Sequence, residues 1–178
     1  MSRDTGVDVH SDALSGKRVL VLVTGGIAAV ESVRLTRELR RHQAKLTVMM
    51  SKEATKIITP LALAWASDVQ VIYDWTPEMA QLEPHDIVLI APATRNTISK
   101  HIHGIIDSPL MMALSAARGR GGKMCFVPSM HQDLFDDPVT QDLLADLRAE
   151  GVSVLVSSVE EGKRKQPDPV SSVAAAVS

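Results

Sequence analysis

Arg18-Val19-Leu20-Val21-Leu22-Val23-Thr24-Gly25-Gly26-Ile27-Ala28-Ala29-Val30 is the stretch on which the reading of the fold turns. A short continuous apolar run with no polar alternation describes a strand buried on both faces, as in parallel sheets. Gly25-Gly26 ends it at once, and apolar residues then recur at Ile27, Val30, Leu35 and Leu39 with charges on the other side. That is the stripe of a helix packed on one face. Lys45-Leu46-Thr47-Val48-Met49-Met50 is the next strand, so the first unit is strand, glycine turn, helix, strand, with a right-handed crossover.

Downstream the same alternation continues. Ser51 is placed to N-cap a second helix, and Pro60 to Trp65 predicts another. Val69–Ile72 reads as a short strand, and Thr76–Pro84 as a polar connection or one-turn helix. Asp86–Ala91 is a buried strand ended by Pro92, and Lys123–Val127 another, stopped by Pro128. Helices are expected over Thr97–His103, Pro109–Ala117 and Gln141–Glu150, the last closed by Gly151. Val152–Val156 is the final strand and Pro169–Val177 a terminal helix. The pattern specifies an α/β domain with an open parallel sheet and helices on both faces, three layers in the Rossmann-like (flavodoxin-like) manner. Residues 1–16 are polar and aperiodic and are expected to be a disordered tail, leaving 17–178 as one domain.

Composition narrows the function classes. The chain has 178 residues, enough for one proper core. Aromatics are only 3% and the net charge is −2, so neither a stacking platform nor a basic stripe marks nucleic acid or an anionic membrane as partner. No apolar run reaches membrane-spanning length, and the N-terminus carries no signal-peptide core. The single cysteine, Cys125, lies in an apolar run and reads as a small buried hydrophobe. A reducing, cytoplasmic setting fits.

In such sheets ligands bind where the strands end. Thr24-Gly25-Gly26, Ser51, Ala91-Pro92-Ala93-Thr94 and Pro128-Ser129-Met130-His131 each follow a predicted strand directly. Gly25-Gly26 lets backbone N–H groups approach an anion, but Ala29 stands where a dinucleotide fingerprint needs its third glycine. Ser51, Thr94 and Asn96-Thr97 add hydroxyl and amide groups at helix starts. Several polar helix starts in one crevice suit a monophosphate carrying a polar chain better than a pyrophosphate. His101 and His103 lie two residues apart on a helix, so their side chains diverge and no metal site is expected there.

Val23-Thr24-Gly25-Gly26-Ile27-Ala28-Ala29, Ile90-Ala91-Pro92-Ala93-Thr94-Arg95-Asn96-Thr97 and His103-Gly104-Ile105-Ile106-Asp107-Ser108 resemble the motifs of the homo-oligomeric flavin-containing cysteine decarboxylase family. The likeness runs from about Lys17 to Val177 and is nearest to the archaeal form of the phosphopantothenoylcysteine decarboxylase domain; dihydromethanopterin reductase is a more distant member. The resemblance implies FMN as cofactor. It places Gly25, Gly26 and Ile27 along the ribityl and isoalloxazine side, Ser51 at the phosphate, and Ala93, Thr94 and Asn96 against the flavin from the end of the Asp86–Ala91 strand. It places Asp107 and Ser108 on a loop closing over the ring, with Met130 among the cofactor-binding residues, and His131 is the polar side chain expected beside the substrate. It also implies a homo-oligomer, of trimers or of trimers stacked into dodecamers, with sites between subunits.

Three departures bear on the reaction. In the resembling family a catalytic His lies eight residues ahead of the Asp that begins the following strand; with Asp86 as that Asp, Glu78 stands there, followed by Met79. No histidine occurs from Gln43 to Pro84, so no shift of alignment restores it. Where many members have an Asn after Pro-x-Met, this chain has His131, which can still donate to a carboxylate. The family's Cys-containing substrate clamp is replaced by Glu161-Gly162-Lys163-Arg164-Lys165. Glu78 and His131 are therefore the catalytic candidates. The missing imidazole favours an FMN-dependent oxidoreductase passing electrons to a small acceptor such as a dihydropterin. The alternatives are a phosphopantothenoylcysteine decarboxylase-like lyase and a non-catalytic flavin-binding subunit.

Overall fold

The computed structural model describes residues 4–160 together with 163 and 164. Its strands are β1 (Arg18–Val23), β2 (Lys45–Met50), β3 (Val71–Ile72), β4 (Ile87–Ala93), β5 (Lys123–Pro128), β6 (Met130–His131), β7 (Ser153–Val154), β8 (Val159–Glu160) and β9 (Lys163–Arg164). The helices are α1 (Ser32–Arg41), α2 (Pro60–Ser67), α3 (Arg95–His103), α4 (Pro109–Gly119), α5 (Gln132–Asp136) and α6 (Pro138–Ala149). Six strands make one parallel sheet in the order β3-β2-β1-β4-β5-β7. The order reverses between β1 and β4, the switch point at which a doubly wound sheet opens a crevice.

The sheet is buried on both faces because its strands are apolar at odd and even positions alike. Val19, Val21 and Val23 of β1 pack with Leu35, Leu39 and Leu63 from α1 and α2. Leu20 and Leu22 pack on the opposite side with Ile98, Leu114 and Leu144 from α3, α4 and α6. Cys125 is buried in the first of these clusters, and burial pushes its thiol up to about 11. It is the small hydrophobe the sequence predicts.

Three helices begin alike, with a cap followed by proline. Thr59, Ser108 and Asp137 each accept a hydrogen bond from a first-turn N–H, and Pro60, Pro109 and Pro138 follow them. The Asp137-Pro138 start places α6 three residues earlier than the Gln141 expected from periodicity alone.

Other differences have local causes. The segment after Gly26 is first a 3-10 turn, Ile27–Glu31, and α1 begins only at Ser32. Small Ala28 and Ala29 are pressed inward there, while Ile27 is 69% exposed. Val152–Val156 contributes only β7 to the sheet. Residues 4–16, expected as a disordered tail, lie against α1 and α2. Leu14 is buried in the core, His10 N–H donates to the Arg41 carbonyl at 2.8 Å, and Arg40 donates to the Thr5 carbonyl at 2.7 Å. One apolar residue and several chain-to-helix hydrogen bonds hold a segment whose composition gave no periodic signal. The terminal helix expected over Pro169–Val177 lies outside the described residues.

A second, three-stranded sheet runs β6-β9-β8, antiparallel. Its register sets Met130 opposite Arg164 and His131 opposite Lys163. The basic segment after Gly162 is thereby brought back to the end of β5, a placement no local pattern signals.

Candidate functional site

The carboxyl ends of β1 and β4 are joined through Thr24. Its N–H and its hydroxyl both donate to the Pro92 carbonyl, at 3.2 and 2.7 Å. The same hydroxyl accepts from the Thr94 N–H at 2.9 Å. Thr94 in turn caps α3, accepting from the Thr97 N–H at 3.3 Å. Ser51, at the end of β2, accepts from the Ala54 N–H at 3.1 Å, and its own N–H donates to the Val23 carbonyl. Gly25 is held close to the β2 loop: a Cβ there would lie 2.4 Å from the Glu53 Cβ. Only glycine admits this approach.

These strand ends surround a cleft of about 420 Å³ at the switch point. Gly25, Ser51, Thr94, Asn96, Asp107 and Ser108 all line it. So do Lys52, Glu53, Thr97 and Lys100, and the apolar Leu110 and Met111 at the start of α4. Tyr73 and Trp75, just past β3, form an aromatic side, each residue 48% exposed. Sequence reasoning missed these two. The signal available was rarity: the chain has two Trp, one Tyr and two Phe, and two of these follow one strand end. Lys100 was missed as well. Its ammonium lies 2.6 Å from the Asp107 carboxylate, fastening the Gly104–Ser108 loop to α3.

Not every candidate reaches the cleft. Ala93 is fully buried within β4. Gly26 faces the Thr94 methyl and the Ser129 carbonyl, on the side toward β5. Ile27 points outward from its 3-10 turn, and Met130 packs on the second core cluster. None of these lines the cleft, and neither catalytic candidate does. Glu78 is exposed on the connection before the short Ala80–Leu82 turn. His131 caps α5, its Nδ1 accepting from the Asp133 N–H at 3.3 Å.

None of the six histidines lines the cleft. His103 bonds the Ser99 carbonyl at 2.7 Å on the exposed end of α3. His85 bonds the Thr47 hydroxyl at 2.9 Å. His101 is buried against Phe126, and both of its ring nitrogens lack a hydrogen-bond partner. Burial, helped by the Arg118 guanidinium, pulls its pKa down to about 4. It is uncharged at neutral pH, so its 3.6 Å approach to Glu150 is not then an ion pair.

The donor set suits a flavin mononucleotide. Hydroxyls of Ser51 and Thr94, the Asn96 amide and the ammonium groups of Lys52 and Lys100 serve an anionic and polyhydroxylated chain. The first N–H groups of α3 have no intrahelical acceptor and add to the anion-binding capacity. Tyr73, Trp75, Leu110 and Met111 offer apolar surface to a flat ring. The volume falls in the ordinary range for cofactor pockets.

Comparison with known proteins agrees with this geometry. A family described as Flavoprotein matches residues 8–177. The coenzyme A biosynthesis bifunctional protein CoaBC of Thermococcus kodakarensis is 38% identical over 162 residues, covering 87% of this chain and 40% of its own. That of Methanocaldococcus jannaschii is 33% identical, covering 87% and 39%. The chain thus spans about two fifths of the length of these curated relatives. Among solved structures, the FMN-dependent cysteine decarboxylase SpaF superposes with a TM-score of 0.81 at 24% identity, covering 92% of this chain and 97% of its own. A PPC decarboxylase variant complexed with pantothenoylaminoethenethiol gives 0.76 at 19%, covering 89% and 95%. At these identities the structures share the fold.

Proposed function

The chain belongs to the Flavoprotein family, and on that premise we propose that it holds FMN in the cleft at the β1/β4 switch point and decarboxylates a cysteine-derived thiol of the phosphopantothenoylcysteine type. The observation that carries this reading is the convergence of Gly25, Ser51, Thr94 and Asn96 on one cleft with an aromatic side at Tyr73 and Trp75. The CoaBC relatives and the cysteine decarboxylase fold support the lyase over the electron-transfer reading that the missing histidine favoured.

In this arrangement Ser51, Lys52 and Asn96 bind the phosphate and ribityl chain. Tyr73 and Trp75 shield one side of the ring from water, and the Lys100–Asp107 pair keeps the Gly104–Ser108 loop in place across the mouth. Bound FMN would supply the two-electron oxidation of the cysteinyl unit to a thioaldehyde, from which CO₂ departs, and the return of the electrons. Tyr73, Lys100, Asp107, Lys52 and Glu53 are the proton-carrying side chains at the cleft. The β6–β9 register sets Lys163 opposite His131, at the end of β5.

One observation favours a second reading. With Glu78 exposed and no histidine in the cleft, the residues fit a flavin that passes electrons to a soluble acceptor. Purified protein carrying a yellow band that releases FMN on heating supports both readings. Loss of CO₂ from phosphopantothenoylcysteine supports the lyase. Reoxidation of reduced protein by a dihydropterin substrate without CO₂ release supports the oxidoreductase. A folded chain that stays colourless and takes up no added FMN at micromolar concentration overturns the reading altogether. A homo-oligomer and a cytoplasmic setting belong to the same proposal; no helix among the described residues is long and apolar enough to cross a membrane.

A further inference from the structure

The sheet edge opposite the cleft carries a group of metal-ligating side chains that the flavin chemistry does not use. Glu38 and His42 sit one turn apart on α1 and so share a face. His10 arrives from the N-terminal segment, held there because its N–H and that of Ser11 both donate to the Arg41 carbonyl. The ligand atoms of the three residues all lie within 4.8 Å of one another. Glu38 Oε1 is 3.2 Å from His42 Nε2 and 3.5 Å from His10 Nδ1. Donors bound tetrahedrally to a zinc-type ion at ordinary bond lengths stand about 3.3–3.5 Å apart.

The surroundings orient these groups. Arg41 donates to Glu38 Oε2 at 2.8 Å, which fixes the carboxylate and turns Oε1 toward the two imidazoles. The Ser11 hydroxyl lies 2.6 Å from His42 Nδ1. When a metal takes Nε2, that hydroxyl can turn to accept the Nδ1 proton, the outer-shell arrangement usual for a ligating histidine. The carbonyls at the end of α1 add partial negative charge beside the site. Glu38 and His42 side chains are 11% and 17% exposed, whereas His10 is 51% exposed and leaves a path for entry.

We propose that His10, Glu38 and His42 form a binding site for a divalent transition metal of the zinc class, which clips residues 4–16 onto α1. Three protein ligands leave a fourth position for water. The ion lies at the amino edge of the sheet, away from the cleft, so its role is to tie the N-terminal segment down. Without it, the same atoms form only hydrogen bonds and weak ion pairs.

Titration of the full chain with Co²⁺, followed by its visible ligand-field absorption and displaced by Zn²⁺, reads the site directly. One ion per chain with a four-coordinate spectrum is expected. His10→Gln, a change in a half-exposed side chain, weakens uptake at least about tenfold, and His42→Gln does the same. Zn²⁺ slows amide exchange over residues 5–16 in the parent chain and leaves it unchanged in His10→Gln. Circular dichroism of His10→Gln matching the parent shows that the variant is folded. The proposal is overturned if the parent takes up no Co²⁺ at sub-millimolar concentration. It is equally overturned if His10→Gln binds as tightly as the parent, which would assign the ion to His103, His131 or another surface group.

Discussion

Thr24 and Pro92 are bonded twice across the switch point, the Thr24 amide and hydroxyl both donating to the Pro92 carbonyl. Thr24 is buried, and its hydroxyl also receives the Thr94 N–H. One side chain thus couples the ends of β1 and β4 to the start of α3. Thr24→Val keeps the shape and removes the hydroxyl, leaving the Thr94 N–H without this partner. A loss of about 1–3 kcal/mol is expected in urea unfolding, together with weaker FMN uptake.

Gly25→Ala tests the close approach of β1 to the β2 loop. The added methyl would meet the Glu53 Cβ at 2.4 Å and the Glu53 backbone at 3.2 Å, so the loop carrying Ser51 and Glu53 must move. Overpacking of this kind costs about 1–3 kcal/mol. FMN titration by fluorescence quenching is expected to show binding reduced by more than the stability change alone accounts for.

Leu14→Ala tests whether the N-terminal segment belongs to the domain. Leu14 is 1% exposed and sits in the cluster with Leu35 and Leu39. A loss of about 2–5 kcal/mol is expected on thermal or urea unfolding, as for other buried leucines. A change below 0.5 kcal/mol, roughly that of a surface substitution, would mean the segment is not held in solution.

His101 gives the stability a defined pH dependence. Its folded pKa is about 4, below the unfolded value near 6.5, because burial and Arg118 oppose its charge. Between those values the unfolded chain binds the extra proton. The stabilising contribution is therefore complete above about pH 6.5 and is lost as pH falls toward 4. Urea midpoints measured at pH 4.5 and pH 7 should differ less for His101→Leu than for the parent.

Glu78→Gln is expected to leave unfolding within about 0.5 kcal/mol of the parent, since the side chain is exposed. FMN affinity and CO₂ release from phosphopantothenoylcysteine should also be unchanged. A large drop in turnover would return Glu78 to the catalytic role that its place in the sequence suggests.

The strands were legible because their cause is local. A continuous apolar run such as Val19–Val23 or Ile87–Ala91 is satisfied by burial on both faces. The glycines after Val23 mark where β1 stops, whereas β4 runs on through Pro92 to Ala93, beyond the end expected from the proline. The cap-proline pairs at Thr59, Ser108 and Asp137 are equally local, although the last was not used. Gly25, Ser51, Thr94 and Asn96 line the cleft from positions that follow a strand end or open a helix, whereas Asp107 and Ser108, on the loop between α3 and α4, were signalled only by the family resemblance.

The sequence by itself determined an α/β sheet with ligand groups at its carboxyl edge, since burial pattern and turn chemistry act over a few residues. Only the tertiary structure decided the β3-β2-β1-β4-β5-β7 order, and with it which strand ends meet. It also decided that Tyr73 and Trp75 face the cleft while Glu78 and Ile27 do not, and that His10 reaches Glu38 and His42. Those contacts join residues far apart in the chain, and they depend on how helices and loops pack over the sheet, which no window of neighbouring residues encodes.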